Sequence, residues 1–222
     1  MTRKMIAPLL FGLIGAAILA WLGTWQLDRL EWKTAILADL ETKIAAAPIA
    51  LPPDPDPAAQ NYVAVTVSGQ LAGPELHVLT SRKPEGPGFR VIRALDTGEG
   101  RILVDLGYIP EVAKSTARPD LTIAITGNLI WPNETDGFTP EPNLDRNIWF
   151  ARETTSMAKA LGTRPVMVAV RGATPETGAS PMPVTVNIAN DHLEYAITWF
   201  SLMLVWIGMT GFLLWRIKRA DI

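Results

Sequence analysis

Uncharged apolar stretches stand near both ends of this chain, and a strand-like alternation fills most of what lies between them. The first stretch, residues 5–27, runs about 23 positions without a formal charge, with Arg3 and Lys4 before it and Asp28 and Arg29 after it. It is longer than the roughly 7–15-residue apolar core of a secretory signal and leads straight into a charged helical pattern, so it predicts an uncleaved transmembrane helix. Gly12, Ala16, Ala20 and Thr24 recur every four residues, which predicts a ridge of small side chains for a second helix to pack against. Residues 28–47 predict a helical extension, because Leu30, Ile36, Leu37, Leu40 and Ile44 keep an apolar stripe on one side. Residues 191–215 predict the second span. Its part from 196 to 215 carries no charge over about 20 residues, enough to cross a bilayer at about 1.5 Å per residue.

Between the spans, "PIALPPDPDPAAQ" is expected not to hold a helix and predicts a linker. Short β-rich runs follow: "YVAVTVSG", "ELHVLTS", "GFRVIRAL", "RILVDLGYIP", "LTIAITGNLIW" and "PVMVAV", set apart by Gly and Pro clusters. "DTGEG" predicts a hairpin turn, and "TTSMAKALG" a short helix ending at Gly162. Six or seven strands in about 110 residues leave no room for βαβ crossovers. The predicted fold class is therefore a membrane protein with two transmembrane α-helices flanking an antiparallel β-rich domain (α+β, barrel- or sandwich-like) at 48–190. Residues 175–183 predict a second, flexible linker within it.

Charge placement sets an orientation. Arg216, Lys218 and Arg219 follow the second span, and no Lys or Arg occurs between 172 and 215. This places residues 1–4 and 216–222 in the cytoplasm and the β-rich domain outside it. Tails this short leave no room for an output module, which argues against a solute sensor. The net charge of −2 gives no case for nucleic acid. The absence of cysteine excludes disulfides, thiolate metal sites and covalent c-type haem attachment. Any imidazole-bound metal or haem must use His77 or His192, the two histidines present, or a ligand from a partner. No Gly-rich phosphate loop, GxSxG elbow or HExxH motif occurs, and the reading is that the chain is not an enzyme.

Two groups at the span edges carry candidate chemistry. Trp25, Arg29 and Trp32, spaced four and three apart, share a helix face that Trp21 extends into the bilayer. An arginine between indoles can make cation–π contacts or bind a carboxylate; it is also what an aromatic belt with a snorkelling arginine looks like. His192, Tyr195, Ala196 and Trp199 share a face of the second span. A flat aromatic cofactor with acidic arms fits between the two groups, with His192 at its metal. The alternative is that His192 anchors the helix start beside Asp191.

"LGTWQLDRLEWK" after the first span and "NDHLEYAITWF" into the second resemble the end motifs of the Surfeit locus protein 1 family, and "GPGFRVI", "ILVDLGYIP" and "NLDRNIWFARE" resemble its internal blocks in order. Gly23, Trp25, Gln26, Arg29, Trp32 and Lys33 match the first motif; Asn143, Asn147 and Trp149 match the middle block. Asn190, His192, Leu193, Tyr195, Ala196, Thr198, Trp199 and Phe200 match the last. Leu106, Glu153 and Ala189 depart from the family's Arg, Asp and Pro. The resemblance implies an assembly factor for haem-a-containing cytochrome c oxidase in the bacterial cytoplasmic (inner) membrane, with a periplasmic central domain. It implies transient haem a as cofactor, with His192 at the haem iron and Trp25, Arg29, Trp32, Tyr195 and Trp199 around it. The implied partners are the oxidase catalytic subunit, with haem a synthase and other oxidase assembly factors as further ones, and the lipid bilayer. The alternative it leaves open is a haem-free scaffold that stabilises assembly intermediates.

Overall fold

The computed structural model describes residues 3–185 and 188–220 and divides into two units, one made of residues 1–39 and 186–222 and the other of residues 40–185. The N-terminal helix α1 (Arg3–Ala45) spans 43 residues, and the C-terminal helix α4 (His192–Ala220) spans 29. Each contains a stretch long and apolar enough to cross a membrane, with mean hydropathy 2.3 and 1.8. The expected tail residues 1, 2, 221 and 222 lie outside the described residues.

In the first unit the two helices run antiparallel. A Cβ placed on Gly12 would meet Thr210, one on Gly15 the Trp206 indole, and one on Gly23 the Phe200 ring at 2.7 Å. The small-residue ridge is therefore real but differs from the expected one. At about 100° per residue a four-residue step drifts about 40° around the helix, so the series from Gly12 leaves the interface by Thr24, which is exposed. Gly12 and Gly23, eleven residues apart, return to within about 20° of one phase, and Gly15 lies about 60° to its side, so all three stay near the interface. The close approach lets Trp206 Nε1 donate to the Gly12 carbonyl at 3.0 Å, beside a Phe11–Trp206 ring contact at 5.2 Å.

The second unit is a closed, mixed β-barrel. Strands β2 (Ala64–Arg82), β3 (Gly86–Thr97), β4 (Gly100–Pro110), β5 (Leu121–Ile130) and β6 (Met167–Val170) follow the order β2-β3-β4-β6-β5, and β5 pairs back onto β2. A two-residue strand β1 (Ile49–Ala50) lies parallel to β2, and a one-turn helix α2 (Pro57–Gln60) follows it with Asp56 as its cap. The expected hairpin lies between β3 and β4, and the expected short helix is α3 (Thr154–Leu161), closed by Gly162 at φ +63°.

Three expectations need correction. The sheet is not purely antiparallel: β6 runs parallel to β4 and β1 parallel to β2. "YVAVTVSG" and "ELHVLTS" are one bent strand, whose first half pairs β5 and whose second half pairs β3, with a register shift between Leu71 and Glu75 where Gly73 takes φ +82°. Neither linker is loose. The first supplies β1 and α2, while Thr177 and Ala179 are buried and Ser180 bridges Tyr108 on β4.

Alternation builds two cores. Val65, Leu71, Val91, Val104, Leu129 and Val168 point from all five barrel strands into one cluster. The intervening residues, Leu76, Ile92, Leu103 and Met167, form a second with Met157 and Leu161 of α3. Leu106 is fully buried in the first cluster beside the β-bulge at Gly107 (φ +100°). Glu153 caps α3 by accepting from Thr155 N (2.9 Å) and Ser156 N (2.6 Å), a service Asp could also provide. The last turns of α1 belong to this unit, where Asn128 and Arg171 donate to the Ile44 carbonyl at 3.0 and 2.7 Å.

Candidate functional site

The two end motifs meet in the first unit through Gln26 and His192. His192, the first residue of α4, is half-buried, and its Nδ1 lies 2.7 Å from Oε1 of Gln26 on α1. Gln26 is 9% exposed, while its neighbours Trp25 and Leu27 are 44% and 40% exposed. It shares the phase of Gly12, Gly15 and Gly23, and with Thr24 it is one of two uncharged polar side chains in residues 5–27. That was the available signal: a lone amide on the small-residue face of an apolar helix is polar glue for a neighbouring helix.

The approach to α4 is held on the same side. Lys33 Nζ donates to the Ala189 carbonyl, and Asn190 Nδ2 to Thr34 Oγ1 at 3.3 Å. Ala196 is buried one turn into α4.

The other sequence-predicted residues are more exposed than Gln26. Arg29 places its guanidinium 4.4 Å from the centroid of the Trp32 ring, a cation–π pair along one helix face. Trp21, Trp25, Trp32 and Tyr195 are exposed and Trp199 is half-buried. The four-residue face read for His192, Tyr195, Ala196 and Trp199 thus splits, with Ala196 in the seam and Tyr195 outside it. Among the described residues the polar partner of His192 is Gln26, and not Trp25 or Arg29.

His77, the rival imidazole, is spent on the barrel. It is 5% exposed; its Nε2–H donates to Glu75 Oε1 at 2.8 Å, and its Nδ1 accepts from Asn147 Nδ2 at 3.4 Å. Arg118 Nη1 reaches the same Glu75 oxygen at 2.5 Å. Burial pushes the Glu75 carboxyl up, but the His77 hydrogen bond and the Arg118 charge outweigh it and hold it below the usual carboxylate range. Asn147, at φ +48°, also donates to the Glu75 carbonyl at 2.8 Å, so the middle block pins its loop to β2. Asn143 and Trp149 serve the same loop, Asn143 bridging Ile148 and buried Trp149 bridging Val78.

The barrel carries a cleft of about 470 Å³ lined by Tyr62, Arg90, Trp131, Glu134, Arg152 and Met182, among others. Its charges cancel internally. Asp105, 1% exposed, accepts from Arg90 at 2.6 Å and Arg152 at 3.0 Å, and Arg152 also grips Glu134. Burial pushes the Glu134 carboxyl up, but Arg152 holds it below the ordinary value. Among the described residues no three His, Asp or Glu side chains converge as a metal cluster would require.

A β-barrel inserted in sequence between two helices long and apolar enough to cross a membrane, with paired motifs where those helices begin and leave their apolar runs, defines the class of protein to which the chain is to be compared. The SURF1 family model matches residues 13–204, and the chain is a member of that family. It is similar to a SURF1-like protein of Monosiga brevicollis (31% identity over 86% of this chain and 82% of the relative). It also resembles Surfeit locus protein 1 of Rattus norvegicus (30%, 82% and 67%) and a SURF1-like protein of Drosophila melanogaster (30%, 98% and 80%).

Proposed function

We propose that this protein is an assembly factor for haem-a-containing cytochrome c oxidase, that α1 and α4 span the bacterial inner membrane with both termini cytoplasmic, and that haem a is held at the outer edge for transfer to the catalytic subunit. Family membership supports the assembly role, and one observation supports the haem reading: His192 has one ring nitrogen engaged by Gln26 and the other without a hydrogen bond among the described residues. His77 has both nitrogens engaged. The donor set fits the group. His192 Nε2 would hold the iron, the exposed indoles of Trp25 and Trp32 would cover apolar ring surface, and Arg29 would receive a carboxylate arm. Bound haem a would supply the redox-active iron of the oxidase; this chain's residues do no bond-making. A single imidazole suits a carrier, because delivery requires release.

A haem-free scaffold is the second reading, favoured by the exposed apolar side chains Phe138, Leu144 and Val112 on the barrel. Oxidase purified from cells carrying His192→Ala separates the two. The haem reading predicts a catalytic subunit that accumulates without haem a. The scaffold reading predicts normal haem content with failed subunit association, and that result would remove the haem role.

A further inference from the structure

We propose that Gln26 is a positioning residue for His192: its side-chain carbonyl holds the imidazole in the tautomer protonated at Nδ1 and leaves Nε2 as a bare lone pair. Its meaning for haem rests on the reading above; the tautomer itself does not. An amide oxygen only accepts, so a 2.7 Å contact from Gln26 Oε1 makes Nδ1 the donor. In a neutral imidazole that strips the proton from Nε2, the form a Lewis acid needs.

The surroundings make this contact specific rather than incidental. Burying an amide in an apolar helix face is costly unless it is paired, and Gln26 is the residue of its turn turned into the seam. The other uncharged polar side chain of the run, Thr24, is satisfied by its own helix, donating to the Trp21 carbonyl at 2.9 Å. Gln26 is therefore directed across the helix pair, at the first residue of α4, whose position is fixed on both sides. Gly23 against Phe200 sets the helix separation on one side, and the Lys33–Ala189 and Thr34–Asn190 hydrogen bonds hold the approach on the other. His77 shows the opposite state, protonated at Nε2 by its bond to Glu75, so the chain's two histidines are set to opposite tautomers by their partners.

The test is 15N-histidine NMR on the full chain in micelles, where the two histidines of the sequence give separable signals. His192 should report Nδ1–H with an unprotonated Nε2, and His77 the reverse. Gln26→Leu should convert His192 to a mixture of tautomers and leave His77 unchanged. Titrating haem a into the same samples should then show binding weakened about 10–100-fold in Gln26→Leu. Gln26→Glu, which keeps an acceptor, should retain binding and make the bound iron's reduction potential more negative. A wild-type His192 protonated at Nε2, with the Gln26 amide donating instead, overturns the proposal. So does haem a binding by Gln26→Leu that equals wild type. If wild type shows the Nδ1–H tautomer but takes up no haem a, the positioning role stands and the haem reading falls.

Discussion

Replacing Gly12 or Gly23 by leucine tests whether these glycines set the distance between α1 and α4. At Gly12 the first added carbon meets Thr210, and the bulk also displaces the Trp206 indole that donates to the Gly12 carbonyl at 3.0 Å. At Gly23 it meets the Phe200 ring at 2.7 Å. Forcing extra carbons into a packed seam costs about 1–3 kcal/mol, and an interhelical hydrogen bond in lipid adds roughly 0.6 kcal/mol. Leucine is the better helix former by about 1 kcal/mol, which offsets part of this. At Gly12 these combine to a net loss of about 0.6–2.6 kcal/mol, roughly a 3- to 80-fold weaker pairing equilibrium. The natural chain has no cysteine, so a Thr34→Cys/Asn190→Cys pair reports that equilibrium as disulfide yield in detergent. Gly208→Leu is the matched control, because a Cβ there meets nothing within 4 Å. Both seam variants should lower the yield while Gly208→Leu matches the parent. Three equal yields would refute the packing argument.

Two further outcomes concern the barrel. Asp105→Ala strands the Arg90 and Arg152 guanidiniums around a buried gap and should cost about 3–5 kcal/mol; denaturation of the full chain in detergent reads it, and a loss below about 1 kcal/mol contradicts the network. Glu75 and Glu134 both titrate below the ordinary carboxylate value when folded. Their stabilisation is complete above the unfolded value, near pH 4.3 or so, and is lost as pH falls through the depressed folded values. Near-ultraviolet circular dichroism should therefore report flat stability from neutral pH down to about 5 and a decline below that; a decline beginning near neutral pH would implicate other groups.

Much of this architecture can be read from residue order because its signals are local. An uncharged run, a two-residue alternation, "DTGEG" and the Gly162 stop each act within a few residues. What escaped depends on distant partners. Nothing in "PVMVAV" says that it slides in parallel beside β4 and closes the barrel against β5. The bend at Gly73 fuses two strand-like runs because both halves of β2 find separate partners. Pro175 to Pro183 looks loose by composition, yet Ala179 and Ser180 are claimed by the barrel. At the candidate site, Trp25, Arg29 and Trp32 were legible as one face, and Arg29 stacks on Trp32. Gln26 was not, because a four-residue ridge drifts off the seam while the phase through Gly12, Gly15 and Gly23 stays on it.

The proposed haem role rests on one imidazole at the start of α4, His192. The absorption spectrum of the chain purified from cells making haem a tests it most directly. Wild type should show a haem a spectrum that His192→Ala loses and His77→Ala keeps. A wild-type protein without haem, or a His192→Ala variant carrying as much as wild type, would contradict it.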